Sequence, residues 1–149
     1  MIRSANRRLD SSGSAAIEFG LIAPVLVILL IGLVEVGFAV REAMQVQDAA
    51  EVGAGYAIKH GWDSAGIAAA VVNATGASGV TASPAPQQFC GCPGTAGVTS
   101  VLCTATCSTG MVPGVYVRVS ASIAHQPILP GLGLPIPATL TGQATVRLQ

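Results

Sequence analysis

Between Phe19 and Val34 the chain carries no charged residue, and the wider stretch from Ile17 to Val34, IEFGLIAPVLVILLIGLV, adds only Glu18. Eighteen helical residues at about 1.5 Å each come close to the hydrocarbon thickness of a bilayer, about 30 Å. The apolar character resumes at Val36-Gly37-Phe38-Ala39-Val40, so the span extends past Glu35 to about residue 40. Pro24 kinks such a helix without having to end it. A helix buried in a soluble core is the alternative, and a run this long and pure disfavours it.

Basic residues give the span a direction. Arg3, Arg7 and Arg8 precede it, whereas only Arg41 follows closely, with Lys59 further on. The positive-inside rule then keeps the N-terminus in the cytoplasm and carries the rest across. A cleaved secretory signal would share this orientation, but its apolar core is about 7–15 residues and ends in a small-residue cleavage site. Here the run is longer and passes into a polar helical rhythm.

Outside the span, roughly 100 residues remain, enough for one modest core. Charged residues make up 9% of the chain, against about 25% in ordinary soluble domains. The small residues Ala, Gly, Val, Ser and Thr dominate, which suits close helix packing better than an active-site cleft. With zero formal net charge, nucleic acid is not an expected partner.

A carboxylate at the edge of an apolar helix costs a few kcal/mol unless it is solvated, paired or neutralised. Glu18 is solvated beside the N-terminal arginines on the plain reading. Its surroundings suggest a sharper one, because Gly13-Ser14-Ala15-Ala16-Ile17-Glu18-Phe19 has the form of a type IV prepilin cleavage site. The segment from Gly13 to Ala57 resembles the TadE-like pseudopilins of tight-adherence (Flp-type) pilus systems. The shared features are the Glu18-Phe19 pair, Pro24, Gly32 with Glu35-x-Gly37, and the helix through Ala49-Ala50 and Gly53. Glu51 and Gly55 depart from the family, standing where basic residues are common.

The resemblance covers about a third of the chain. It implies cleavage after Gly13 by a membrane prepilin peptidase, so that the new Ser14 amine compensates Glu18 on its own or a neighbouring subunit. Expected partners are therefore membrane lipid, the peptidase, other pilin or pseudopilin subunits and the assembly platform.

Beyond Glu35, the rhythm of EVGFAVREAMQVQDAAEVGAGYAIKHG predicts that the membrane helix continues as a stalk to about Ile58. Phe38, Met44, Ala49, Val52 and Tyr56 are candidates for its apolar side. Asp63 is placed to cap a second helix, SAGIAAAVVNAT, and Gly76 to end it. The clearest strand is Gly114 to Ile123, with Val115, Val117, Val119, Ala121 and Ile123 on one face. Ala138 to Leu148 repeats the alternation. Between them the apolar loop QPILPGLGLPIP covers the sheet or meets a neighbouring subunit.

The four cysteines, Cys90, Cys92, Cys103 and Cys107, lie in a Gly- and Thr-rich loop on the exported side. Their even count favours two disulfides there, with zinc as the alternative ligand set. A Cys90–Cys92 bond across one residue would be strained, so pairing between the two clusters is preferred.

His60 and His125 have no nearby cysteine or carboxylate in sequence that suggests a metal site, and His125, next to a strand end, reads as a surface residue. Tyr56 and Trp62 cover the junction between stalk and domain. Asn73-Ala74-Thr75 matches a glycosylation sequon inside a helix and carries no weight. Phosphate loops, nucleophile elbows and His-Glu-x-x-His helices are missing from the sequence.

The sequence thus predicts an α+β protein: a leader (1–13), a TadE-like segment (14–57) with a membrane helix over about 17–40, and an extracytoplasmic domain (58–149) with a second helix and a short antiparallel sheet. It reads as a non-enzymatic minor pilin or pseudopilin of a bacterial inner membrane, with no catalytic residue, metal or cofactor. Its length favours a minor subunit, since major pilins of these systems are very short. The alternative is an unprocessed, membrane-anchored interaction domain unrelated to a pilus.

Overall fold

The structure is a computed structural model that describes residues 12–130, 133 and 135–148, and the side chains of residues 12–15 lie outside that description. Arg3, Arg7, Arg8 and the rest of the expected leader up to residue 11 also lie outside the described residues.

One helix, α1 (Ser12–His60), contains both the apolar run and the stalk without interruption. Pro24 lies inside it, and Gly61, with φ +78°, ends it by adopting a conformation open to glycine. Helix α2 (Ser64–Asn73) follows at once. Asp63 occupies its N-cap position as expected, although its side chain makes no capping hydrogen bond. The helix gives way at Ala74, two residues before Gly76.

Four strands complete the fold as an antiparallel sheet in the order β2-β1-β3-β4, comprising β1 (Gln87–Gly94), β2 (Gly97–Ser100), β3 (Gly114–Ala124) and β4 (Thr139–Arg147). The architecture is α+β, as the sequence predicts. The two later strands fall where alternation places them, each within about one residue of the expected ends. The cysteine segment differs from expectation: β1 and β2 form a hairpin there instead of a loop. Its residues, Gln-Gln-Phe-Cys-Gly-Cys-Pro-Gly and Gly-Val-Thr-Ser, show little apolar alternation. Backbone pairing of β1 with β3 and of β2 with β1, together with two cross-links from β1, defines these strands.

The core lies between the helices and one face of the sheet. Val117, Val119, Ala121 and Ile123 of β3 pack there with Val46, Ala49, Ala50, Ala54, Ala57, Ile67 and Val71. The stalk's buried side is therefore not the one the large residues suggest. Phe38 (46% exposed), Met44 (62%) and Val52 (48%) face outward, and only Ala49 of the expected set is fully buried. Small side chains allow closer approach. A Cβ built on Gly142 of β4 would lie 2.5 Å from the Val46 carbonyl oxygen and 2.6 Å from the Gln47 nitrogen. One built on Gly53 would lie 2.5 Å from Val71 Cγ2 and 2.9 Å from Val119 Cγ1. These contacts leave no room for a side chain at either glycine, and at Gly142 strand and helix meet nearly backbone to backbone.

Candidate functional site

The residues expected to govern processing sit at the lower end of α1. Gly13 and Ser14 are helical, and Glu18 and Phe19 are exposed on the helix surface. The apolar side chains above them, from Leu21 to Val34, are largely exposed too, and Ala16–His60 is long and apolar enough to cross a membrane. In a bilayer, lipid would cover that surface.

The cysteines lie at the opposite end of the sheet. Cys90 bonds Cys103 and Cys92 bonds Cys107, with Cα separations of 5.1 and 5.6 Å, so each bond joins one cluster to the other. Together they tie the β1–β2 hairpin to the segment leading into β3. Among the described residues no group of histidine, cysteine and carboxylate side chains is arranged to hold a metal ion.

A third cluster joins the domain to the stalk. Strand β3 runs back along α1, from Val119 beside Gly53 toward the apolar run, and delivers His125 to the helix. The His125 Nδ1 lies 2.6 Å from Glu42 Oε2, and its Nε2 lies 3.1 Å from Glu35 Oε1. The second Glu35 oxygen accepts the Ile128 backbone N–H at 2.9 Å. Glu35 and Glu42 are seven residues apart, two helical turns, and so share one face of α1. His125 and Glu35 are 7% and 2% exposed.

An ionised carboxylate only accepts hydrogen bonds, so two of them are best satisfied by an imidazolium donating from both nitrogens. The Glu42 hydrogen bond, helped by the Glu35 bond and the two negative charges, holds the His125 pKa above its ordinary 6.5, against the opposing pull of burial.

The expectation of a surface histidine is thus overturned. Its carboxylate partners are 83 and 90 residues away in sequence, and only the return path of β3 brings them together. The available signal was the spacing of Glu35, Ala39, Glu42, Val46, Ala49, Gly53 and Ala57, a helical stripe in steps of three and four carrying two carboxylates.

Further up the stalk, the Gln143 N–H donates to Gln47 Oε1 at 3.2 Å, and Gln47 Nε2 donates back to the Gln143 carbonyl at 3.4 Å. At the top, Tyr56 stacks on His60 with ring centroids 4.4 Å apart, while Trp62 remains 40% exposed.

Residues 13–55 match the family model of the TadE-like proteins, from the expected processing site almost to the end of α1. Neither the curated proteins nor the solved structures provide a match for the chain. The match includes Glu35 and Glu42, but it ends before every residue of α2 and the sheet.

Proposed function

We propose that this chain is a minor pilin or pseudopilin, a non-enzymatic subunit assisting assembly of a tight-adherence pilus. In this reading α1 anchors it in the bacterial cytoplasmic membrane, N-terminus inside, with residues 58–149 as the outer domain. The segment 1–13 is a leader removed by a prepilin peptidase, and Ser14 becomes the mature N-terminus beside Glu18. The partners are other pilin or pseudopilin subunits and the assembly platform.

The observation that carries the reading is the TadE-like match beginning at Gly13, on a helix long enough to cross a membrane. Two disulfides suit an oxidising exterior.

N-terminal sequencing of the membrane-extracted protein tests it. The mature chain should begin at Ser14 when the peptidase is active and keep its leader when Gly13 is replaced by a bulky residue. Glu18→Ala should leave cleavage intact and abolish pilus assembly at normal protein levels. A chain still beginning at Met1 beside an active peptidase would instead indicate an unprocessed membrane-anchored interaction domain.

A further inference from the structure

The Glu35 carboxylate fixes more than His125. By accepting the Ile128 N–H, it pins the start of the β3–β4 connection to the helix residue immediately after Val34, the last residue of the uncharged run. The two side chains carried there, Ile128 and Leu129, are 51% and 42% exposed. Gln126 to Val146 contains no Asp, Glu, Lys or Arg, so no charged side chain in this connection opposes an apolar surrounding. On α1 itself Val36, Phe38 and Val40 are exposed within six residues of Val34, about 9 Å along the axis. Helix and connection therefore expose apolar side chains at one height, within the last turns of the expected span of about 17–40, where α1 would leave the hydrocarbon. The headgroup layer beyond each side of that core is about 5–8 Å deep.

We propose that Ile128 and Leu129 insert into the outer headgroup layer of the membrane that α1 spans, so that the domain is seated on the lipid surface. The proposal rests on α1 being a membrane anchor. The lipid interface is the occupant that the bond to Glu35 selects, because a patch held at the exit point of a spanning helix meets lipid before it meets any protein. The exposed residues Leu102, Met111 and Val112, beyond the opposite end of β3, have no such neighbour and serve as the control.

The test uses the full chain in single-copy nanodiscs of phosphatidylethanolamine and phosphatidylglycerol. Trp62→Phe removes the native tryptophan, and one reporter is added at a time as Leu26→Trp, Leu129→Trp or Val112→Trp. Lipids brominated near the glycerol end of the acyl chain quench shallow tryptophans, and those brominated near the chain centre quench deep ones. The Leu129→Trp emission should fall about two-fold or more with the shallow quencher, as for a side chain about 5–10 Å into the headgroup and acyl boundary. Val112→Trp should not respond, and Leu26→Trp should respond to the deep quencher.

If Leu26→Trp is quenched but Leu129→Trp keeps a water-like, unquenched emission, the anchor stands and the seating is wrong. If Leu26→Trp is not quenched either, both ideas fall. Shielding at position 129 that appears only with two chains per disc would assign the patch to a second copy and overturn the lipid contact. Ile128→Trp provides the same readings should Leu129→Trp not fold.

Discussion

Residues 17–34 and residues 39–57 of α1 share one uninterrupted helix and use side-chain size in opposite ways. The lower part is built from large aliphatic residues, nearly all exposed, while the upper part buries Ala39, Val46, Ala49, Ala50, Gly53, Ala54 and Ala57. Lipid is a fluid partner that fills any outline, so transfer from water favours bulk at every position. A folded sheet is a fixed surface, and dispersion with it is greatest when the two backbones come close. Helicity alone therefore says little about what a stretch of α1 packs against. The size of the residues on its stripe says more.

The sharpest way to break this division is to put a charge in the lower part. Leu26→Arg should impair membrane insertion by about 3 kcal/mol or more, read as the carbonate-resistant fraction of the protein. The disulfides and sheet of any molecules that do fold should be unchanged. Bulk in the upper part should act the other way round. Gly142→Val should leave insertion normal and destabilise the docking of β4 on α1 by about 1–3 kcal/mol, read by denaturant unfolding in detergent. Normal stability in that variant would show that the strand need not approach Val46 and Gln47 so closely.

A matched pair of truncations sharpens the comparison. Val46→Ala should cost the domain about 1–2 kcal/mol, because fixed neighbours leave a void. Leu30→Ala should leave the domain's unfolding unchanged, since Leu30 is 62% exposed. Equal effects would mean that the lower helix has a protein partner in the folded monomer.

The smallest effect is that of pH on the junction between the two parts. The His125 pKa is raised in the folded protein, so its contribution is fully present below the unfolded value of about 6.5. It is lost as pH rises through the raised folded value. Glu35 and Glu42 are the titratable groups bonded to it. Protection of the His125 and Ile128 amides, corrected for the base catalysis intrinsic to exchange, should fall across that window, and His125→Gln should make it flat. Corrected protection independent of pH in the parent protein would show that the imidazole does not change charge there.

Much of this arrangement is legible in the sequence. The uncharged run marks α1, and strict alternation marks β3, where Val117, Val119, Ala121 and Ile123 do line the core. The strain of a Cys90–Cys92 bond leads to cross-linking between the clusters, although not to the particular pairs. The β1–β2 hairpin was hidden because its strands are specified by backbone bonds and sulfur bridges, which leave little hydrophobic rhythm. The buried side of the stalk differs from the expected one because Phe38, Met44 and Val52 outweigh alanine on any scale of apolarity. His125 could not be placed, since its surroundings come from the fold rather than from adjacent residues. The processing role expected of Gly13, Ser14, Glu18 and Phe19 comes only from the resemblance to a family.

Because α1 passes unbroken from the apolar run to the far end of the domain, the protein has no joint where the two meet. Pro24, the one residue inside the helix that removes a backbone hydrogen bond, lies well below Glu35, so any bend it causes falls beneath the domain. The upper part is a rotor keyed to its shaft by Glu35, Glu42, Gln47 and the alanine stripe. Adding or deleting one residue between Val25 and Val34 would turn the whole domain by about 100° about the helix axis and shift it by about 1.5 Å. Length in this helix thus sets the compass bearing of the outer surface, and a neighbour that recognises that surface also counts the residues beneath it.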